Sequence, residues 1–454
     1  MANPYRSYLA IGESIDKKNY IIVTFFLHSE GQPFDRTAGG VAAESSVGTW
    51  TDVNLQGKTL WDKLHGKVFE ADEKTGSVKI AYPLELFEPG NIPQLLSSIA
   101  GNIFGLLEIS ALRILDIDFP ETFIKSFPGP FFGIEGIRKI TGISNRPLIG
   151  SIIKPKLGLS HVEHMNAALD VFEAGVDLVK DDENLTSQSY NSFYNRVDEG
   201  TSQMKRSGFL GKGSEKIYAY NITASYDEML KRAEYVVAKN GNCLMIDILT
   251  SGFAAVCGIR NKNFGKIIHA HRAMHAAFTR SKQYGISMLV IAKLARLSGV
   301  DSLHTGTIVG KMEGGKEEVL AIDNFLRGEW YGLKTVLPTA SGGLHPGHVP
   351  DLVRLLGKDV LCNFGGGIHG HPDGSKAGAV AVVQAFDRGV RMHSSDGGGI
   401  WSNISTISFT TLLFVPFAGT PIIVTFFSLP NFCSSPRLTG RSKSWTVFLG
   451  EILH

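Results

Sequence analysis

Eight short apolar runs, each followed by a segment of helical pattern, recur along the second half of the chain, and few folds accommodate that alternation. They are PLIGSII (147–153), VDLVK (176–180), IYAYNI (217–222), CLMIDIL (243–249), KIIHAH (266–271), DSLHTG (301–306), TVLPTA (335–340) and VLCNFG (360–365). Buried parallel strands read as continuous apolar runs, and eight strand–helix units over about 240 residues match a (β/α)₈ barrel. Ser160 with Glu163 and Ser225 with Glu228 have capping-box spacing, and Gly241, Gly299, Gly328 and Gly357 stand where helices would stop. A doubly wound open sheet is the competing arrangement. The polar residues favour the barrel, because they fall at the C-terminal ends of the runs: Lys154 and Lys156, Lys180 to Glu183, Asn221, Asp247, His271 and Arg272, His304, Ser341 to Gly343, and Gly365 to Gly367. Barrel active sites assemble from those ends, so residues distant in sequence would converge on one mouth.

Upstream, Tyr20 to His28 and Val78 to Leu84 read as strands and Ile92 to Ala100 as a helix, with the Pro/Gly-rich stretch Phe127 to Gly136 punctuating the chain. The expected fold is therefore α/β. A smaller N-terminal α+β (ferredoxin-like) domain spans 1–128, a C-terminal (β/α)₈ TIM barrel spans 129–390, and an atypical apolar tail spans 391–454. A net charge of +2 carries no basic excess for nucleic acid, so small molecules or further copies of the chain are the expected partners. Cys243, Cys257, Cys362 and Cys433 show no C-x-x-C spacing, and the N-terminus lacks the apolar run of a signal peptide; a cytoplasmic location is expected.

The chemistry is concentrated in GVDLVKDDEN (175–184), where Lys180 ends an apolar run and three carboxylates follow. Mg²⁺ takes oxygen ligands and few protein carboxylates, which Asp182 and Glu183 could supply; the bland alternative is a solvated acidic turn. An ammonium at Lys180 would repel the metal, whereas carbamylation by carbon dioxide would make it an anionic oxygen ligand. That reaction requires the neutral amine, which burial favours. Lys154 and Lys156 flank Pro155 two residues apart, so in an extended stretch they point the same way, as acid/base groups or as a basic surface turn. His269, His271, Arg272, His275 and His304 raise zinc as an alternative, but an Arg-His cluster also suits phosphate. The glycine-rich pieces after runs seven and eight suit phosphate binding through backbone amides, with ordinary loops as their alternative. Lys311 lies in a glycine-bearing loop that could close over a ligand or leave it solvated.

These residues resemble the ribulose bisphosphate carboxylase/oxygenase large subunit. The runs IIKPKLGLS, GVDLVKDDEN, HAHRAMHA (269–276), HTGTIVGKMEG (304–314), ASGGLHPG (340–347) and FGGGIHGHP (364–372) occur in family order, joined by AAESSVGTWT (42–51) and GNIFG (101–105). The similarity covers about residues 5–390 and is nearest the archaeal, small-subunit-independent (form III-like) branch. It implies that carbon dioxide is added to ribulose 1,5-bisphosphate to give two 3-phosphoglycerates, with Mg²⁺ held by Asp182, Glu183 and a carbamate on Lys180. It further implies that Lys154 protonates the final carbanion, Lys156 helps hold the enediolate, His271 handles protons and Lys311 stabilises the incoming carboxylate. Arg272 and His304 would grip one phosphate, Thr49, Trp50, Gly343, Gly365 and Gly366 the other, with Gly342 in the same loop and Ser341 on a substrate hydroxyl. Glu44 and Asn102 would complete the neighbouring subunit's site, making a homodimer the minimum active unit. Archaeal likeness points to nucleotide-derived pentose salvage. The alternatives are a related enolase or isomerase of a similar sugar phosphate, and an inactive homologue.

Leu178 and Val47 depart from the usual Phe and Thr of the family. The larger departure is the tail, since Gly397 to Pro436 holds no charged residue. The run 407–427 approaches membrane-spanning length but is interrupted by Pro416, Gly419 and Pro421, which disfavours a span. A shifted reading frame or unrelated extension beginning between Asp387 and Asp396 is the preferred explanation.

Overall fold

β-Branched and aromatic residues make Tyr20–Ser29 a strand, β1, whose Ile21, Val23, Phe25 and Leu27 are buried at alternate positions. It lies between β3 (Ser77–Pro83) and β4 (Ile109–Asp118), antiparallel to both, and β2 (Lys67–Asp72) pairs with the far side of β3. The helices Phe34–Glu44 and Ile92–Ile99 make the two crossovers, so the order β4-β1-β3-β2 is the ferredoxin-like arrangement. Gly76, at φ 71, turns the chain between β2 and β3 where a Cβ would stand 2.8 Å from the Leu27 carbonyl oxygen. This computed structural model describes residues 3–48, 58–309 and 315–395 and the strands Leu413–Phe417 and Thr420–Val424.

The eight apolar runs form the eight parallel strands of a closed barrel: β5 (Leu148–Ile152), β6 (Leu178–Lys180), β7 (Ile217–Asn221), β8 (Cys243–Asp247), β9 (Ile267–His271), β11 (Ser302–Gly306), β12 (Leu337–Ser341) and β13 (Leu361–Phe364), closed by β13 on β5. Strand period 2 divides the interior. At the N-terminal end Leu148, Leu178, Ile217, Cys243, Ile267, Leu337 and Leu361 form one apolar cluster, plugged by Ile134 and Ile137 of the helix Gly133–Thr141. Each such buried side chain contributes about 1.5–3 kcal/mol, so this layer supplies stability and leaves the other end free to be polar. Two and four residues further on, the same faces carry Lys180, Asn221, Asp247, His269, His271 and Ser341.

Several local expectations need correction. The run at 176–180 is strand only from Leu178, and Ile248 and Leu249 belong to the short helix Ile248–Ser251. Ser160 forms both arms of its capping box with Glu163, but Ser225 makes no side-chain cap although it occupies the cap position. Gly299 and Gly357 end helices at positive φ; Gly328 ends one in extended conformation, and the left-handed residue before Gly241 is Asn240, at φ 65. β2 and β4 were not anticipated, nor was β10 (Tyr284–Ile286). β10 leaves the barrel sequence after β9 and adds to the N-terminal sheet in parallel with β4. Buried Arg113 donates to the carbonyls of Ser281 and Tyr284 there, and buried Lys293 donates to the Ile117 carbonyl at 2.8 Å and pairs with Asp116 at 2.6 Å.

The chain divides into Met1–Met392 and His393–His454. In the second unit Leu413–Phe417 and Thr420–Val424 pair antiparallel. Among the described residues no helix is long and apolar enough to cross a membrane.

Candidate active site at the barrel mouth

Lys180 is the last residue of β6 and is 1% exposed. Its Nζ donates to the Asp181 carbonyl at 2.9 Å and lies 3.8 Å from Glu183 Oε2. Burial pushes the amine's pKa down, although Glu183, Asp182, Asp247 and Asp181 all pull it up. Asp182, fully buried, accepts from Lys154 Nζ at 2.7 Å and from Asn184 through its backbone N–H at 3.1 Å and its amide at 2.9 Å. Burial alone would raise this carboxyl, but the Lys154 and Asn184 donors outweigh it and the net shift is downward. Glu183 Oε2 lies 3.6 Å from His271 Nε2.

Asp181, between the two, faces a different set of groups. Its carboxylate accepts from Tyr218 Oη at 2.6 Å, Arg196 Nε at 3.1 Å and the Asn221 backbone N–H at 2.9 Å, with His164 Nε2 at 3.3 Å. Burial opposes its ionisation, yet the Arg196 guanidinium and these donors hold it well below the usual carboxylate range. Asn221 also donates to the carbonyls of Asp182 at 3.3 Å and Glu183 at 3.2 Å, which fixes the turn that presents their side chains.

The histidines extend the mouth across β9 and β11. The Ala273 N–H donates to His271 Nδ1 at 3.2 Å, so the neutral ring carries its proton on Nε2, toward Glu183. Asp247 Oδ1, buried without a hydrogen-bond partner, lies 3.3 Å from His271 Nδ1. His304 Nδ1 contacts Ser341 Oγ at 2.8 Å, and its Nε2 contacts His269 Nε2 at 3.0 Å. Sequence reasoning noted His269 and Asp247 without giving them a role; strand alternation from His271 and Met245 was the signal that places both inside the barrel.

Arg272 follows β9 and, with His275, Thr305, Glu318 and Ile322, lines a cavity of about 320 Å³. Burial lowers its pKa to about 10, which leaves a cation at neutral pH, whereas burial beside Arg272 and His271 pushes His275 down to about 4. Gly342 and Gly343 take φ 116 and 67 after β12. Gly365 follows β13, where a Cβ would stand 3.1 Å from Ile152 Cγ2 and 3.4 Å from Lys154 Cε; a Cβ on Gly366 would meet nothing within 4 Å. Gly365 is half-buried and Gly366 exposed.

The structure brings together Lys154, Lys180, Asp182, Glu183, His271, His304 and Ser341. Lys156 is not hydrogen-bonded or ion-paired to any of them. β5 ends at Ile152, so Lys156 lies in bends beyond it, exposed and, among the described residues, without an ion pair or hydrogen bond. The extended backbone expected through Lys154 and Lys156 is a run of bends. Asn102 Nδ2 donates to Glu44 Oε1 at 3.3 Å within the N-terminal domain, and neither residue bonds to a barrel strand end among the described residues. Thr49, Trp50 and Lys311 lie outside the described residues.

As a cation site, Asp182 and Glu183 offer the hard oxygen donors that Mg²⁺ prefers. Among the described residues no group of three His, Cys, Asp or Glu side chains is placed to hold a metal ion, and a modified lysine falls outside that set. The donor chemistry fits if Lys180 supplies an oxygen.

Fold and mouth together define a (β/α)₈-barrel protein whose strand ends gather lysines, carboxylates and histidines at one mouth, joined to a ferredoxin-like domain. Two family models match, the ribulose bisphosphate carboxylase large chain N-terminal domain over residues 12–123 and its catalytic domain over 133–397. The chain belongs to the ribulose bisphosphate carboxylase large chain family. It is 48% identical over 379 residues to the ribulose bisphosphate carboxylase of Methanocaldococcus jannaschii, covering 79% of this chain and 89% of that one. Among solved structures it is similar to the octameric ribulose-1,5-bisphosphate carboxylase/oxygenase of Pyrococcus horikoshii, crystallised with sulfate (TM-score 0.82, 42% identity, 86% of this chain and 92% of that one). It is also similar to the dimeric archaeal Rubisco of Hyperthermus butylicus (TM-score 0.79, 40% identity, 86% and 94%).

Proposed function

We propose that this chain carboxylates ribulose 1,5-bisphosphate to two molecules of 3-phosphoglycerate. The observation that carries the reading is Lys180, a buried amine with depressed pKa placed beside Asp182 and Glu183. A depressed pKa raises the neutral fraction at a given pH, and only the neutral amine reacts with carbon dioxide to form a carbamate. Asp182, Glu183 and the carbamylated Lys180 would then hold Mg²⁺. Loaded in this way, the site gains an anionic base for the proton on carbon 3 of the sugar and a Lewis acid for its carbonyl.

The other residues orient the sugar and move protons. His271, with its Nε2 proton toward Glu183, is positioned to exchange protons during hydration. Lys154, whose Nζ donates to Asp182 at 2.7 Å, is the donor to the carbanion left after carbon–carbon cleavage. Arg272 grips one phosphate, the amides of Gly343, Gly365 and Gly366 the other, and Ser341 meets a hydroxyl; His304, whose two ring nitrogens face His269 and Ser341, backs this end of the site rather than gripping the phosphate directly. Lys156 holds the enediolate and Lys311 the incoming carboxylate when the mouth is filled. Glu44, Thr49, Trp50 and Asn102 of a second copy complete the site, so the active unit is a homodimer or a larger homo-oligomer, as the dimeric and octameric relatives support.

The test is incubation of the protein with labelled carbon dioxide, ribulose bisphosphate and Mg²⁺. Acid-stable label in 3-phosphoglycerate is the expected result. Solvent exchange at carbon 3 without incorporation would replace the carboxylase with an enolase-type reaction.

A further inference from the structure

A line of four side chains climbs the barrel interior across β9, β11 and β12. Ser302 Oγ contacts His269 Nδ1 at 2.7 Å, His269 Nε2 contacts His304 Nε2 at 3.0 Å, and His304 Nδ1 contacts Ser341 Oγ at 2.8 Å. Ser302, His269 and His304 are essentially inaccessible, and Ser302 is the strand neighbour of His269. Burial pushes both imidazoles far below the usual histidine range, so each is neutral with one N–H, as the close Nε2 to Nε2 contact also requires.

A close Nε2 to Nε2 contact requires one donor and one lone pair, which leaves two arrangements. In the first, the Ser302 hydroxyl donates to His269 Nδ1, His269 Nε2–H donates to His304 Nε2, and His304 Nδ1–H donates to Ser341 Oγ. The Ser341 hydroxyl proton is then free to face the mouth. In the second every bond is reversed, and Ser341 offers the mouth only lone pairs. Among the described residues Ser302 Oγ makes no other hydrogen bond, so the second arrangement orphans a buried hydroxyl proton, which costs free energy. The first arrangement also suits a mouth that carries Lys154 and Arg272 and receives an anion.

We propose that His269 is a positioning residue that, through His304, holds the Ser341 hydroxyl as a hydrogen-bond donor toward the bound bisphosphate. This rests on the reading that Ser341 meets that substrate. The primary test is ¹⁵N NMR of the full chain with labelled histidine, with the His304 resonances assigned by comparison with His304→Gln. The expected result is a proton on His304 Nδ1 and none on Nε2; a proton on Nε2 in the unsubstituted protein overturns the proposal. This measurement needs neither turnover nor a folded His269 variant, so its failure is separable from failure of the carboxylase reading.

The functional arm compares His269→Gln, whose amide N–H can still donate to His304, with His269→Leu, which cannot. The Leu variant should move the His304 proton to Nε2 and raise KM for the bisphosphate about tenfold, the scale of one hydrogen bond, with kcat falling less. The Gln variant should keep the tautomer and stay within about threefold of the parent. Equal effects of Gln and Leu would reduce His269 to a packing residue and overturn the proposal.

Discussion

Asp181 and Asp182 are adjacent in sequence and equally buried, yet they stand in two different kinds of surroundings. Around Asp181 every demand is met from within the fold. A guanidinium, a phenol and a backbone N–H donate to it, so it works as a fastener between β6, β7 and the helix Phe193–Arg206. Asp182 is paired as fully, but by Lys154 and Asn184 of the mouth itself, and Glu183 is held only at ion-pair distance. The amine is buried beside carboxylates at loose distances, and the nearby Asp247 Oδ1 has no hydrogen-bond partner. Neither burial nor the number of donors separates the two carboxylates; what differs is whether the donors belong to the frame, as for Asp181, or to the mouth, as for Asp182.

The sharpest way to break that contrast is at Lys180. Lys180→Ala should cut label incorporation from carbon dioxide by at least about 10²–10³-fold while leaving the melting temperature unchanged or higher, since it removes a buried amine and no fastener. An unfolding loss without a catalytic one would invert the comparison. Arg196→Met should do the opposite. Stripping the cation from a buried carboxylate costs about 3–5 kcal/mol in denaturant unfolding, and adding Asp181→Asn should recover much of it. If Arg196→Met unfolds like the parent, the fastener is not one.

Asp323 extends the contrast to a third carboxylate, fully buried on the helix Lys316–Arg327 with neither oxygen hydrogen-bonded. Burial pushes its pKa up to about 6 against the pull of Thr305, Arg327 and Arg272. A raised carboxyl pKa means the folded state holds the proton more tightly. Stability on this account is greatest below about pH 4 and falls as pH rises through about 6. Asp323→Asn should therefore gain about 3 kcal/mol at pH 7, and the gain should vanish near pH 4. A gain independent of pH would show that ionisation is not the cost. The smallest effects concern caps. Ser160→Ala should cost about 1 kcal/mol and Ser225→Ala less than about 0.5 kcal/mol, because only Ser160 accepts the capping bond.

The barrel was legible because eight apolar runs with polar ends state both the strands and the direction of the mouth. Family motifs then supplied the residues for Lys180, Asp182, Glu183, His271 and His304. What escaped reading depended on contacts made far away in sequence. β4 and β10 carry Arg113, Asp116 and Tyr284, too polar to look like core strands, and their pairing is decided by tertiary packing. Ser225 has cap chemistry at cap position, but its side chain forms no capping bond, a matter of rotamer that spacing does not encode. The bends that carry Lys156 beyond the end of β5 at Ile152 are not encoded in the apolar run that precedes them. Asp181 could be separated from its neighbours only once Arg196, Tyr218 and His164 were known to surround it.

The loan of Tyr284–Ile286 to the N-terminal sheet bears on modularity. The two domains follow one another along the chain, yet one of them keeps an edge strand in the other's sequence, just beyond Arg272. Splitting the gene between them would leave β4 with a bare ladder of N–H and C=O groups, open to pairing with any passing strand. It would also leave the segment that follows Arg272 without the sheet that anchors it. The two domains must therefore be inherited, exchanged and engineered as a single piece.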